Sequence, residues 1–345
     1  MCQCWQPEPD AYQKLDCYFT KRDATDPAER IARLLEVWSA RIARSFLEAI
    51  GAIKDEIDLR ELEVLIARGQ LDRVESRITR AANAVAAVSG EAFVTSARDT
   101  SRFLSEALRV NVAFDVSNDR AIGLVRTARL NLIREFTQDQ REVVRASVIR
   151  QLQQGSSPRQ TAQTVRDAIG LTVRQNASVE RYRQLLEVGS SQALTRNLRD
   201  RRFDGAIRRA IREETPLTPE QIQRQVARYQ ERFLSLRAQN IGNTEGSRAL
   251  NQGRHEGYQQ YVDQGILSED QIIRIWNTNR DGRERLTHNV LHRTEVRGLT
   301  ERYELASGAR LLFPTDPSGP ADETVNCRCT ETIRIIRAEQ ARLAA

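Results

Sequence analysis

Apolar residues recur at intervals of three and four along most of this chain, and that spacing restricts the fold more than any other feature. Ile31, Leu34, Leu35, Trp38, Ile42, Phe46, Ile50 and Ile53 form one such stripe, the pattern of an amphipathic helix burying a single face. Further helices are expected over Leu59 to Ile66, Val74 to Val88, Phe103 to Leu108 and Asp119 to Gln153. In the last of these, Ile122, Val125, Leu132, Ile133, Phe136, Val144, Val148 and Leu152 keep to one face. Ser157-Pro-Arg-Gln160 and Thr172-Val-Arg-Gln175 match the capping box, in which the hydroxyl accepts from the third backbone N–H and the glutamine reaches back. Gly170 between them suits a left-handed helix end, and Thr218-Pro219-Glu-Gln221 opens another helix, with proline at its first position. Its buried face is Ile222, Val226, Tyr229, Phe233 and Leu236, and the helical region runs to about residue 253.

Residues 1–28 differ. Pro7, Pro9 and Pro27 interrupt them, no period is sustained, and they read as an arm that would order on a partner. Five cysteines, split as Cys2, Cys4 and Cys17 against Cys327 and Cys329, are no disulfide framework. No window approaches the roughly 18 apolar residues of a membrane-spanning helix, so no membrane span is expected. The net charge of +6 comes almost wholly from arginine, lysine occurring only at positions 14, 21 and 54. Arg201, Arg202, Arg208, Arg209 and Arg212 concentrate positive charge that could face phosphate or an acidic partner, against the plainer reading of a solvated face.

After residue 253 the pattern changes to that of strands. Ile272-Ile-Arg-Ile-Trp276 is a β-branched and aromatic run bounded by turn residues. A short helix at about 283–292, a strand at Arg310 to Phe313, the turn-rich Pro314-Thr-Asp-Pro-Ser-Gly-Pro320 and a final strand at Thr324 to Ile335 complete a small α+β end domain. The fold class is α+β, mostly helical over its first two-thirds. The expected domains are an arm at 1–28, a helical region at 29–236 and an end domain at 237–345.

The polar motifs gather in that last segment: Trp276, then Asp281-x-Arg283-x-Arg285-x-x-His288, then Pro314-x-Asp316-Pro317, then Asn326-Cys327-Arg328-Cys329. Upstream, Thr244-Glu245 and Arg248 lie in Asn240-Ile-Gly-Asn-Thr-Glu-Gly-Ser-Arg-Ala-Leu-Asn-Gln-Gly253. Together they resemble the C-terminal domain of the Mu-type head morphogenesis proteins, the minor head or minor capsid proteins of tailed bacteriophages. The resemblance covers roughly residues 110–335 and is strongest after 237. In such proteins a glycine commonly follows the second histidine, where this chain has Arg293. The resemblance implies a non-enzymatic, low-copy virion protein inside the capsid near the portal vertex, assembled in the host cytoplasm. Its implied partners are the portal, the major capsid or scaffolding protein, and packaged double-stranded DNA. The alternative is a nuclease or toxin-like effector carried in the head.

Two chemistries are open to the motif residues. Cys327-x-Cys329 with His288 and His292, four apart on a helix face, offers four candidate zinc ligands. The plainer reading, preferred on sequence alone, buries the thiols as small apolar groups and bonds the histidines to backbone, with no cofactor. Asp281, Arg283, Arg285, His288 and Arg328 could serve phosphoryl chemistry. A structural network is the favoured role, with Arg328 on a strand forking onto a buried carboxylate and Glu245 taking Arg248.

Overall fold

The computed structural model describes residues 27–70, 72–280 and 282–336. The arm up to residue 26, its three cysteines and Asp281 lie outside them. The fold is mostly helical with a small C-terminal α+β part, as the periodicity predicts. Ten helices occur among the described residues: α1 (Pro27–Glu56), α2 (Leu59–Ala67), α3 (Asp72–Leu108), α4 (Asp119–Gln153), α5 (Pro158–Ala168), α6 (Val173–Glu187), α7 (Asp204–Arg212), α8 (Pro219–Asp263) and the single turns α9 (Leu286–Asn289) and α10 (Ala321–Thr324). None of the helices is long and apolar enough to cross a membrane.

Chain contacts divide the protein into two units that are not consecutive in sequence. One takes the described residues up to Ile42, Val88–Thr127 and those from Asn240 onward; the other takes Ala43–Ala87 and Ala128–Gln239. The expected boundary at 236/237 lies three residues from the division at 239/240. The domain reading still needs correction, because parts of α1, α3 and α4 belong with the C-terminal segment.

The second unit packs Leu171, Val179, Tyr182, Leu185, Leu186, Ile207, Val226 and Tyr229 into one core. Its helix starts are fixed locally. Ser157 with Gln160 and Thr172 with Gln175 form reciprocal capping boxes, and Thr218 exchanges the same two bonds with Gln221. Gly170 adopts φ +92°. A Cβ there would meet Leu234 at 2.7 Å and Ile50 at 2.8 Å. The loop is pinned by buried Gln140, which accepts from the Gly170 N–H at 2.7 Å, and by Arg237, which donates to the Gly170 carbonyl at 3.1 Å. The buried stripe of α4 therefore runs through Phe136, Gln140, Val143, Val144 and Ser147. Ile122 and Leu152, expected on that face, are exposed at its ends.

In the first unit Trp38, Phe93, Phe114, Ala249 and Leu250 cluster where α8 meets α1 and α3. Close approach demands glycine here: a Cβ on Gly253 would stand 2.2 Å from the Phe93 carbonyl oxygen, and one on Gly246 would stand 3.2 Å from the Ser39 backbone nitrogen. A second cluster, Leu104, Tyr258, Tyr261, Leu267, Ile272, Leu299 and Ile335, joins the helices to the sheet. The sheet has β1 (Ile272–Asn277) at its centre, antiparallel to both β2 (Glu295–Arg297) and β5 (Thr330–Ile335). β3 (Tyr303–Glu304) and β4 (Arg310–Leu311) form a separate hairpin. The end strands are shorter than expected, because residues 321–324 coil into α10 and Cys327 to Cys329 lie before the ladder begins at Thr330.

Candidate functional site

Asn326 sets the position of the cysteines. It takes a left-handed φ of +56°, a conformation asparagine tolerates better than most residues. Its backbone N–H donates to the Thr244 hydroxyl on α8 at 2.8 Å, and its side chain accepts from Asn243 at 2.8 Å. After this turn Cys327 and Cys329, two residues apart and ahead of the strand, both bring their sulfurs to the same histidine ring. Both are buried and unoxidised.

Facing them is His288, from α9. Its Nδ1 lies 3.4 Å from Cys327 Sγ and 3.5 Å from Cys329 Sγ, and the three ligand atoms all fall within 4.8 Å of one another. Exposure is 1% for His288, 2% for Cys327 and 3% for Cys329. On the far side of the ring, Nε2 is 3.0 Å from Glu323 Oε2, displaced from the line of an N–H···O bond. Glu323 also accepts from the Thr287 hydroxyl at 2.9 Å. Burial pulls its carboxyl upward, but hydrogen bonds from Ser307 and Thr287 and the nearby His288 bring it below the ordinary glutamate range. Trp276 closes the cluster, its ring edge-on to His288 at 5.3 Å and to Tyr303 at 5.1 Å. The thiols act as a pair. The hydrogen bond from Cys327 lowers the Cys329 thiol against its burial, helped by His288 and the Trp276 indole, while the same bond and burial raise Cys327. One proton is held loosely and the other tightly.

The expectation that His288 and His292 share a helix face does not hold. α9 ends at Asn289, and the turns that follow take His292 away, where its Nδ1 accepts from the Thr278 backbone N–H at 3.3 Å. His292 is thus bonded to backbone, as the plainer reading expected. His288 instead faces two sulfurs and a carboxylate, which that reading did not anticipate.

The other motif residues build a scaffold. In the Pro314 to Pro317 turn, Thr315 is fully buried with φ +68°. Asn251 of α8 donates to the Pro314 carbonyl at 2.7 Å, and Ser247 and Thr315 hydroxyls lie 3.1 Å apart. Asp316 organises the loop, accepting from Ser318 N–H and hydroxyl at 2.8 Å each, Leu312 N–H at 2.7 Å and Arg302 at 2.9 Å. Glu245 takes Arg248 at 2.9 Å, as expected. Arg285 donates to the Val325 carbonyl at 2.6 Å, whereas Arg283 is exposed.

The buried strand arginine is Arg274, not Arg328, which is half-exposed. Arg274 is fully buried. It donates to the carbonyls of Gly298, Leu312 and Glu301 and meets Glu331 at 3.3 Å. Arg254 approaches Glu331 at 3.6 Å, and the Tyr303 hydroxyl donates to it at 3.1 Å. Burial raises the Glu331 carboxyl, with Arg274 and Arg254 opposing. One signal in the sequence pointed to this network. In Ile272-Ile-Arg-Ile-Trp276, alternation puts Arg274 on the face of Ile272 and Trp276, a charge on the buried side.

Arg201, Arg202, Arg208, Arg209 and Arg212 belong to the other unit and are all exposed. Asp200 takes Arg202 at 2.6 Å, Asp204 approaches Arg208 at 3.8 Å and Glu213 takes Arg212 at 2.9 Å, so part of the charge is neutralised locally. No family model, curated protein or solved structure matches this chain.

Proposed function

We propose that this chain is a minor head protein of a tailed bacteriophage, which associates with the portal during head assembly and works by recognition rather than turnover. The observation that carries the reading is the convergence of the separate motifs. Far apart in sequence, Asn326 bonds to Thr244 of α8, the Pro314 carbonyl bonds to Asn251 of the same helix, and Trp276 of β1 packs on His288, which faces Cys327 and Cys329. Motifs used as a scaffold fit a structural protein. The three groups most suited to catalysis, His288, Cys327 and Cys329, are too deeply buried for a polymeric substrate to reach them as placed. This weighs against the effector alternative.

Partner binding would draw on the helices and the arm, and DNA contact on the exposed arginines. That contact would be weak and sequence-independent, weakening steeply with salt as counterion release is lost. The test is co-expression of the full chain with the portal protein of the same phage, followed by sizing of the complex. Co-elution with the portal oligomer at high salt is expected. Failure to associate, or phosphodiester cleavage by the purified chain that His288→Ala abolishes, would overturn the reading.

A further inference from the structure

We propose that His288 Nδ1, Cys327 Sγ and Cys329 Sγ are ligands of a structural zinc ion, with Glu323 orienting the histidine through Nε2. Three observations carry this independently of any role in the phage head. The first is the shape of the cluster. Zinc bonds of about 2.3 Å to sulfur and about 2.05 Å to nitrogen, at a tetrahedral angle, place sulfur and nitrogen about 3.5 Å apart. The structure has 3.4 and 3.5 Å. A lone S–H···N bond explains one such approach. It does not explain two sulfurs converging on the same nitrogen at nearly equal distance, since that nitrogen has a single lone pair.

The second observation is the carboxylate behind the ring. Histidine ligands of metals commonly donate their other N–H to a carboxylate, which fixes the tautomer and raises the basicity of the ligating nitrogen. Glu323, itself buried and held by Thr287, lies 3.0 Å from Nε2. A proton kept on Nε2 leaves the Nδ1 lone pair directed at the sulfurs. Bringing Nε2–H into line with that oxygen requires the imidazole or the carboxylate to turn, which ligation at Nδ1 would fix.

The third is the choice of donors and their setting. Two thiolates and an imidazole are the soft and intermediate ligands that select zinc over magnesium or calcium. The cluster is also closed from solvent, the Trp276 ring packing edge-on to His288 at 5.3 Å. Binding replaces one proton on each thiol by the metal, so Zn²⁺ and two thiols yield the dithiolate complex and two protons. His288, Cys327 and Cys329 fill three of the four positions of a tetrahedral ion. Burial under Trp276 makes the ion a clamp between α9 and the Cys327–Cys329 segment that precedes β5, two segments that lack ladder bonds of their own.

The experiment uses the full chain, purified without a metal-chelating tag from zinc-supplemented cells. Elemental analysis should give about one zinc per chain, the stoichiometry of a single mononuclear site. Cobalt(II) exchanged into the wild-type protein should show thiolate-to-cobalt charge transfer in the near ultraviolet and intense visible bands of a four-coordinate ion. This reading does not require any variant to fold. Glu323→Gln keeps all three ligands and should weaken zinc affinity about 10- to 100-fold in a competition titration with a chromophoric chelator. Folded, metal-free protein whose melting is unchanged by added zinc chloride or chelator would overturn the proposal. So would a Cys327–Cys329 disulfide in the native protein, seen by mass spectrometry, or cobalt spectra without the sulfur band.

Discussion

The backbone N–H of Asn326 donates to the side-chain hydroxyl of Thr244 at 2.8 Å across 82 residues of sequence. This bond joins the turn that launches the cysteines to the long helix α8. Thr244→Val keeps the shape and removes the acceptor, leaving a partly buried N–H unmatched. A loss of about 1–2 kcal/mol is expected, read as an earlier denaturant midpoint, with Thr244→Ser close to wild type. Equal midpoints for the valine and wild-type proteins would show the bond to be incidental.

Arg274 and Glu331 should behave as a buried pair that tolerates removal of neither partner. Arg274→Met leaves a buried carboxylate with only Arg254 and Tyr303 near it, and about 3–5 kcal/mol should be lost. Arg328→Ala, at a half-exposed side chain, should cost about 1 kcal/mol. Urea denaturation of the two variants decides the order; if Arg328→Ala proves the more damaging, the assignment of the buried arginine is wrong.

Arg293 sits at φ +67° with its N–H bonded to the Trp276 carbonyl at 2.7 Å. A side chain in the left-handed region costs about 1–2 kcal/mol, and glycine avoids this while giving up about 0.5–1 kcal/mol of chain entropy. Arg293→Gly should therefore raise stability by about 0.5–1 kcal/mol, whereas Arg293→Val should lower it. Calorimetric melting of both variants checks the sign, and a lower melting temperature for the glycine variant would refute the account.

His255 provides a pH prediction. Burial, with Arg274 and Arg254 nearby, lowers its pKa to about 4. Between about pH 6.5 and 4 the unfolded chain therefore binds a proton that the folded protein refuses. Stability from this group is fully present above the unfolded pKa and declines as pH falls, by up to about 1.4 kcal/mol per pH unit. His255→Gln should flatten that part of the profile. Parallel stability curves for the two proteins across the window would mean the histidine titrates freely.

The sequence by itself determined the local structure. Asp119 to Gln153 is the helix its period predicts, and Ser157/Gln160 and Thr172/Gln175 cap as read, because a capping box involves only residues three apart. The left-handed backbone at Arg293 was not legible in this sequence, and only the resemblance, in which glycine commonly stands there, pointed to it. Tertiary structure alone decided which chemistry the motif residues carry. Nothing local separates His288 from His292. One meets two sulfurs and a carboxylate and the other a backbone N–H, because α9 stops after a single turn. The buried charge fell to Arg274 rather than Arg328 because β1 is the central strand, covered on both sides, while Arg328 precedes the ladder. The sorting of α1, α3 and α4 residues into the unit of the end domain rests on contacts between helices far apart in the chain. Periodicity marks the face a helix buries, but not the partner that covers it.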